Sequence, residues 1–352
     1  MEIEWNGKTY DVTTLLPLLK EATRPAVAMW NQFSESHDYR MWLTADERAL
    51  LVLPRTHKKV KAWLELIHKT CEFVDRSIPV PAPPPQTPDK KDEPPMFWFD
   101  AEGRFEVDGR KLDEGTVILL ETRDKLEYLK MIDFIVAADP SVADLLEPSR
   151  QAVGFVSEKP WVGAWLAGSE DLEEWSPENE LVHRLAHLLL IRRFGSLPLW
   201  LKLGYAWAVE IEVRKSIWCF PYRNEFVFEV EHTRWESDLR RWFQRRAERP
   251  LEMAEILALK RGSWNPEASL LAYGLTAFLM RAYPQELPKV IEALRIAQRR
   301  SAVRFNPDGT WTASAESQLD GGIQQEILSQ LASRRFLEEL GEFWRTGKRP
   351  SN

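Results

Sequence analysis

The 352-residue chain has only two cysteines, Cys71 and Cys219, too few and too far apart in sequence for a disulfide framework. It also lacks any run of the roughly 18 apolar residues that a membrane-crossing helix needs. Its most apolar stretch, LAHLLLI at 185–191, is closed at once by Arg192 and Arg193. The opening MEIEWNGKTYDV has neither the basic nor the apolar region of a secretory leader. These absences set the expectation of a reduced, cytoplasmic protein with no membrane partner. Positive charge is not in excess, the formal net charge being −7, which argues against nucleic acid as the partner of the whole molecule. Glycine-rich phosphate loops, a Gly-x-Ser-x-Gly elbow and Cys-x-x-Cys pairs are missing too, leaving no sequence ground for nucleotide, serine-hydrolase or dithiol chemistry.

What is present describes a globular protein. Hydrophobic residues make up 44% of the chain and charged ones 29%, enough for a sizeable core. The 16 tryptophans imply extensive contact area, whether in core, cleft or interface. Proline is concentrated in PVPAPPPQTPDKKDEPP (79–95). Because proline fixes φ and donates no N–H, this segment reads as an extended, solvated linker; its PxxP spacing also suits an aromatic groove.

The flanks of that tract read alike. RALLVLPR (48–55) precedes the helical run KKVKAWLELIHKTCEFV, and TVILLETR (116–123) precedes DKLEYLKMIDFIVAA. Two apolar runs, each followed by a helical period, predict layering around a common sheet. QAVGFVSEKPWVGAWLA (151–167) predicts a hairpin turning near Lys159–Pro160. The proline tract is therefore an insertion within one domain, and Asp108–Gly109 predicts a small hairpin over 99–112 inside it.

From about 176 the pattern is helical. Ser176 and Pro177 suit an N-cap and the first helical position, and Gly195 stands where a left-handed C-cap is needed. Pro198 opens the next helix, and further helices are predicted at 234–247, 251–261, 268–282, 287–299 and 323–345. The first of these interleaves Arg240, Arg241, Arg245, Arg246 and Arg249 with Trp235, Trp242 and Phe243. Such a mixture can grip single-stranded nucleic acid, but near-helical apolar spacing favours an amphipathic helix with a solvated basic face; an acidic protein surface is a third reading.

Within LVHRLAHLLL, His183 and His187 are four apart and share one helical face, so both imidazoles can aim at one point. Spacing alone describes a structural histidine pair equally well. The flanking residues add more. LVHRLAHLLL, a glycine-ended helix and PLWLKLGYAWAVE resemble the gluzincin zinc metallopeptidases, in particular the bacterial peptidase MA-like domains. Their pattern is HExxH followed by a helix reading Trp-Leu-x-Glu-Gly-x-Ala-x-Tyr-x-Glu. Trp200, Leu201, Gly204, Ala206 and Glu210 match it in register. Residues 250–280 are similar to the family's aromatic loop and Tyr-x-x-Ser helix, with Tyr273 and Thr276 in those places, and LEELGEFWRTG is similar to its closing helix.

The resemblance implies a zincin-like α+β fold, an N-terminal mixed sheet with helices and then a mostly helical C-terminal half. It implies one domain over 45–345, interrupted by the proline-rich insertion at 79–112, with 1–44 as an N-terminal extension and 346–352 as a tail. It also exposes departures. Arg184 stands where the family has the general base, and a guanidinium has no acceptor to take a proton from water. Its charge would repel a dication by roughly 5 kcal/mol at ~6 Å and an effective dielectric of ~20. Leu203 replaces the third zinc ligand and Ala208 the family tyrosine. Glu210 lies two helical turns past Leu203, about 10 Å on, too far to substitute for that ligand.

The reading that follows is a pseudopeptidase with no catalytic residue and no cofactor, His183 and His187 being vestigial ligand positions. A surviving cleft would bind a protein or peptide beside an edge strand near 160–167. Its expected lining is Arg184, Leu203, Tyr205 and Trp207, with Tyr273, Trp161 and Trp165; Arg184 would hold a partner's carboxylate. Two rivals stand beside this reading. One is an active zinc metallopeptidase with atypical ligands, for which Glu178, Glu231 and His232 are candidates. The other is a structural subunit that binds through a Trp/Arg-rich surface.

Overall fold

The computed structural model describes residues 2–79, 97–99, 105–107, 115–158, 160–168, 176–219, 233–245, 253–258, 264–305, 311–313 and 319–350. The chain opens with strands β1 (Glu2–Trp5) and β2 (Lys8–Asp11), the helical turn α1 (Val12–Leu15), helix α2 (Arg24–His37), and strands β3 (Tyr39–Leu43) and β4 (Ala49–Pro54). Helix α3 (Val60–Ser77) comes before a short pair, β5 (Phe97–Phe99) and β6 (Phe105–Val107). Strand β7 (Val117–Thr122), helix α4 (Lys125–Ala138), the turn α5 (Ala143–Leu146) and strands β8 (Gly154–Glu158) and β9 (Trp161–Leu166) follow. The remainder is mostly helical: α6 (Pro177–Phe194), α7 (Leu199–Arg214), α8 (Trp235–Arg245), α9 (Ala254–Leu257), α10 (Pro266–Ala282) and α11 (Leu287–Ala302). A small hairpin of β10 (Val303–Phe305) and β11 (Trp311–Ala313) precedes α12 (Gly321–Leu331) and α13 (Phe336–Thr346). The class is α+β, with a mixed seven-stranded N-terminal sheet. Among the described residues no helix is long and apolar enough to cross a membrane.

The chain forms two compact units where one domain is predicted: residues 1–73, 113–192 and 209–232 make the first, and 74–112, 193–208 and 233–352 the second. The first holds the sheet, in the order β2-β1-β3-β4-β7-β9-β8. β4, β7 and β9 run parallel, in the registers Leu50↔Ile118 and Leu119↔Gly163. Every residue of β4 and β7 is buried, which is why both read as continuous apolar runs rather than alternating ones. Alternation still sorts their faces. Leu50, Val52, Ile118, Leu120, Val162 and Ala164 join Val27, Trp30 and Phe33 of α2 and Met131, Ile132 and Ile135 of α4 in one core. Leu119, Glu121, Gly163 and Trp165 therefore point to the other face.

The two strand–helix repeats form as predicted, as does the hairpin, in which β8 pairs antiparallel with β9. Residues 2–43, set apart in the sequence as an extension, instead supply three strands of the same sheet. β1 pairs in parallel with β3 through Ile3↔Met41, and Ile3, Val27, Trp30, Phe33 and Tyr39 are fully buried. Strands EIEW and KTYD are short and half polar, so no apolar run betrays them. The sheet ends at β2 on one side and β8 on the other; β9, expected near the edge, lies between β7 and β8.

The β5–β6 pair matches Phe97 with Val107 and Phe99 with Phe105, while Asp108–Gly109, the predicted turn signal, lies outside the described residues. The rest of the proline-rich insertion lies outside the described residues. The helix predicted at 323–345 is two. Ser333 Oγ accepts from the Arg335 N–H and the Ser333 carbonyl from the Phe336 N–H, a local turn that ends one helix and starts another. Of the helix predicted at 251–261, the turn α9 is described.

In the second unit the tryptophans are core. Trp207 packs at 5.4 Å from Trp235 and 5.9 Å from Trp264, and Trp235 meets Tyr273 edge-on at 5.5 Å. A Cβ on Gly204 would lie 2.4 Å from the Ala272 carbonyl oxygen, so glycine there lets α7 and α10 touch backbone to backbone. Helix α8 is amphipathic, burying Trp235, Leu239 and Phe243. With Trp235 and Phe243 inside, those aromatics offer no face for a nucleobase. Arg246 and Arg249 lie outside the described residues.

Candidate functional site

Helix α6 starts as its sequence dictates. The Ser176 carbonyl accepts the Asn179 and Glu180 N–H groups, Pro177 takes the first turn, and Gly195 closes the helix at φ +76°. From Asn179 to Phe194 every residue is buried. A helix buried on all sides has no solvated face, so Asn179, Glu180, His183, Arg184 and His187 each need partners inside the protein.

The partners come in two sets. Glu210, fully buried, accepts from Asn179 Nδ2 at 2.7 Å, from the Trp218 N–H at 2.5 Å and from His183 Nδ1 at 3.1 Å. Asn179 Nδ2 also donates to the Ser216 carbonyl at 2.8 Å, and its Oδ1 accepts from Ser176 Oγ and Arg214 Nε. Since the carboxylate accepts, His183 donates this bond from Nδ1. Glu210 reaches His183 directly, a contact that its sequence distance from Leu203 does not announce.

The second set neutralises Arg184. Its Nη2 donates to Glu180 Oε2 at 2.5 Å, and the Cys219 thiol donates to the same oxygen at 2.9 Å. Burial works against the charge, yet Glu180 facing it, followed by Cys219 and Tyr128, carries the guanidinium above its ordinary pKa. The side chain lies across the β8–β9 hairpin, where two glycines make room. A Cβ on Gly154 would sit 2.3 Å from Arg184 Nη2, and one on Gly163 would sit 2.8 Å from Arg184 Cβ. Arg184 is therefore a built-in cation with an internal counter-ion, not a hook held out for a partner's carboxylate.

The other expected cleft residues separate in the same way. Trp165 is fully buried and donates from its indole to Glu121 Oε2 at 3.2 Å. In the second unit, Tyr205, Trp207 and Tyr273 are fully buried. The Tyr205 hydroxyl hydrogen-bonds Ser77 Oγ at 2.7 Å, with burial raising its pKa, and the Tyr273 hydroxyl donates to Glu236 at 3.3 Å. Thr276 donates to the Ala272 carbonyl at 3.0 Å within α10, a structural bond. Of the seven, Trp161 and Leu203 keep partial exposure. Arg184 and Trp165 in the first unit, and Tyr205, Trp207 and Tyr273 in the second, are buried side chains, so the aromatics among them serve the cores of their own units.

Glu178 is engaged by Lys59 Nζ at 2.8 Å, while Glu231 and His232 lie outside the described residues. Among the described residues no group of three or more His, Cys, Asp or Glu side chains is placed to hold a metal ion. Asn179, Glu180 and Cys219 were missed by sequence reasoning. Glu180 was legible, four residues before Arg184 on the same helix face; Asn179 and Cys219 join only through the fold. No family model matches this chain, and no curated protein matches it.

Proposed function

We propose that this chain is a zincin-like pseudopeptidase that binds an extended segment of a protein partner without cutting it. The observation that carries the reading is the Arg184–Glu180 pair in the place after His183. Hydrolysis there needs a group that accepts a proton from water, and arginine offers none. The nearby carboxylates are engaged, Glu180 by Arg184 and Cys219, Glu210 by three donors. Leu203 adds no donor atom. Partner binding is assigned to the β8 end of the sheet, where an extended segment would add as a further strand. Cytoplasmic residence fits the two buried cysteines, Cys71 and Cys219, which form no disulfide.

One contact favours the rival, an active enzyme with rearranged ligands: a carboxylate on Nδ1 is how metal-ligating imidazoles are usually oriented. Elemental analysis and a peptide-library assay separate the two. The expected result is far less than one zinc per chain and no cleavage, with or without chelator. Stoichiometric zinc that is lost in a His183→Ala, His187→Ala variant, together with chelator-sensitive cleavage, would establish the rival.

A further inference from the structure

Away from the His183 helix, the first unit holds a second buried acid–base contact that the proposed function does not use. His57, on the turn joining β4 to α3, places Nε2 at 3.5 Å from Glu121 Oε1 at the end of β7. The other carboxyl oxygen accepts from the Trp165 indole at 3.2 Å, and the imidazole packs on Trp63 with ring centroids 4.4 Å apart. The side chains of Glu121 and His57 are 5% and 11% exposed. The charged groups facing the pair are Lys59 on the same turn and Glu178 on α6, joined to each other at 2.8 Å.

Geometry decides which partner takes a proton. His57 Nδ1 accepts from the Lys59 backbone N–H at 3.3 Å, so the neutral ring carries its hydrogen on Nε2, aimed at Glu121. A doubly protonated imidazolium has no lone pair left and would forfeit the Lys59 bond. Glu121 keeps the Trp165 hydrogen bond whether ionised or not, but as an anion it must be stabilised in a buried setting.

We propose that His57 and Glu121 form a one-proton switch, in which His57 stays neutral with its hydrogen on Nε2 facing Glu121 and the proton is gained and lost on the Glu121 carboxyl. Burial pushes the Glu121 carboxyl up to about 7, with Glu178 adding to the rise and Trp165 and Lys59 opposing it. Burial, with Lys59, pulls His57 below its ordinary value, and Glu178 opposes that.

The linkage signs are opposite. Raised Glu121 contributes stability that is complete below the ordinary carboxylate range and is lost as pH climbs through about 7. Depressed His57 contributes stability that is present above the ordinary imidazole value and is lost as pH falls. The wild-type protein therefore offsets one against the other in mildly acidic solution.

Single variants uncouple the two. His57→Gln leaves the glutamate contribution, so its folding constant should fall on the order of 100-fold as pH rises from 4.5 to 7.5. Glu121→Gln leaves the imidazole contribution, so this variant should lose stability as pH falls below 6.5, the reverse slope. Urea midpoints across pH read both slopes. Carbon-13 NMR of glutamate-labelled wild-type protein should show a carboxyl signal with its midpoint near neutrality. That signal should vanish in Glu121→Gln, and the wild-type titration stands even if a variant fails to fold. Equal pH slopes in wild type and both variants, or no glutamate signal titrating above the ordinary range, overturn the proposal.

Discussion

An arginine inside a protein has to be given its counter-ion there. Arg184 finds Glu180 one turn earlier on its own helix, and neither charge has water to fall back on. Removing one member leaves the other buried and uncompensated, so Arg184→Ala should cost about 3–5 kcal/mol in urea unfolding. Replacing both by leucine should restore most of that loss, because a desolvated ion pair gains little over apolar packing. If the single variant is as stable as wild type, the guanidinium is not held as described. Half of this contact was legible: Glu180 and Arg184 fall at the i, i+4 spacing that pairs charges on a helix. The burial that makes the pair obligatory was not, because LVHRLAHLLLIRRF looks patterned for solvent contact until every side of it is covered. The same blindness applied to Tyr205, Trp207 and Tyr273, where residue type suits a cleft and a core equally.

Two glycines carry the fit of helix α6 against the β8–β9 hairpin. Gly154 and Gly163 open the space that the Arg184 side chain occupies. Gly154→Ala should therefore destabilise the protein by roughly 1–3 kcal/mol, as overpacking does. In an Arg184→Ala background the penalty should shrink, leaving the 2.8 Å approach to the Ala164 carbonyl oxygen. A double-mutant cycle on urea midpoints measures the difference, and additive effects would refute the contact. Neither glycine signals this role in sequence, since a glycine within an apolar strand marks a close approach without naming what approaches. Helix boundaries fared better. Ser176, Pro177 and Gly195 did what their backbone chemistry requires, while Ser333 turned out to split a long helical pattern that periodicity had joined.

At the scale of the molecule, residues 2–43 are structural. They provide β1, β2 and β3, and through α2 they bring Val27, Trp30 and Phe33 into the sheet core. A protein beginning at residue 45 would expose the β4 edge and lose fully buried aromatics, each removal of which costs about 3–5 kcal/mol. It should be unfolded or aggregated by circular dichroism and light scattering. A folded, monomeric product would mean that the segment is dispensable after all.

What the sequence determined by itself is local or periodic. The strand–helix repeats follow from continuous apolar runs and helical spacing, the helix ends from proline, serine and glycine, and the doubt over hydrolysis from Arg184 lacking an acceptor atom. Only the tertiary structure decided which residues meet across long chain separations: Glu210 with His183, Cys219 with Glu180, Glu121 with His57. The physical reason is that burial and partner choice are properties of packing. A side chain's chemistry states what it can exchange, but water exclusion and close approach decide what it does exchange, and those arise only once distant segments share a core.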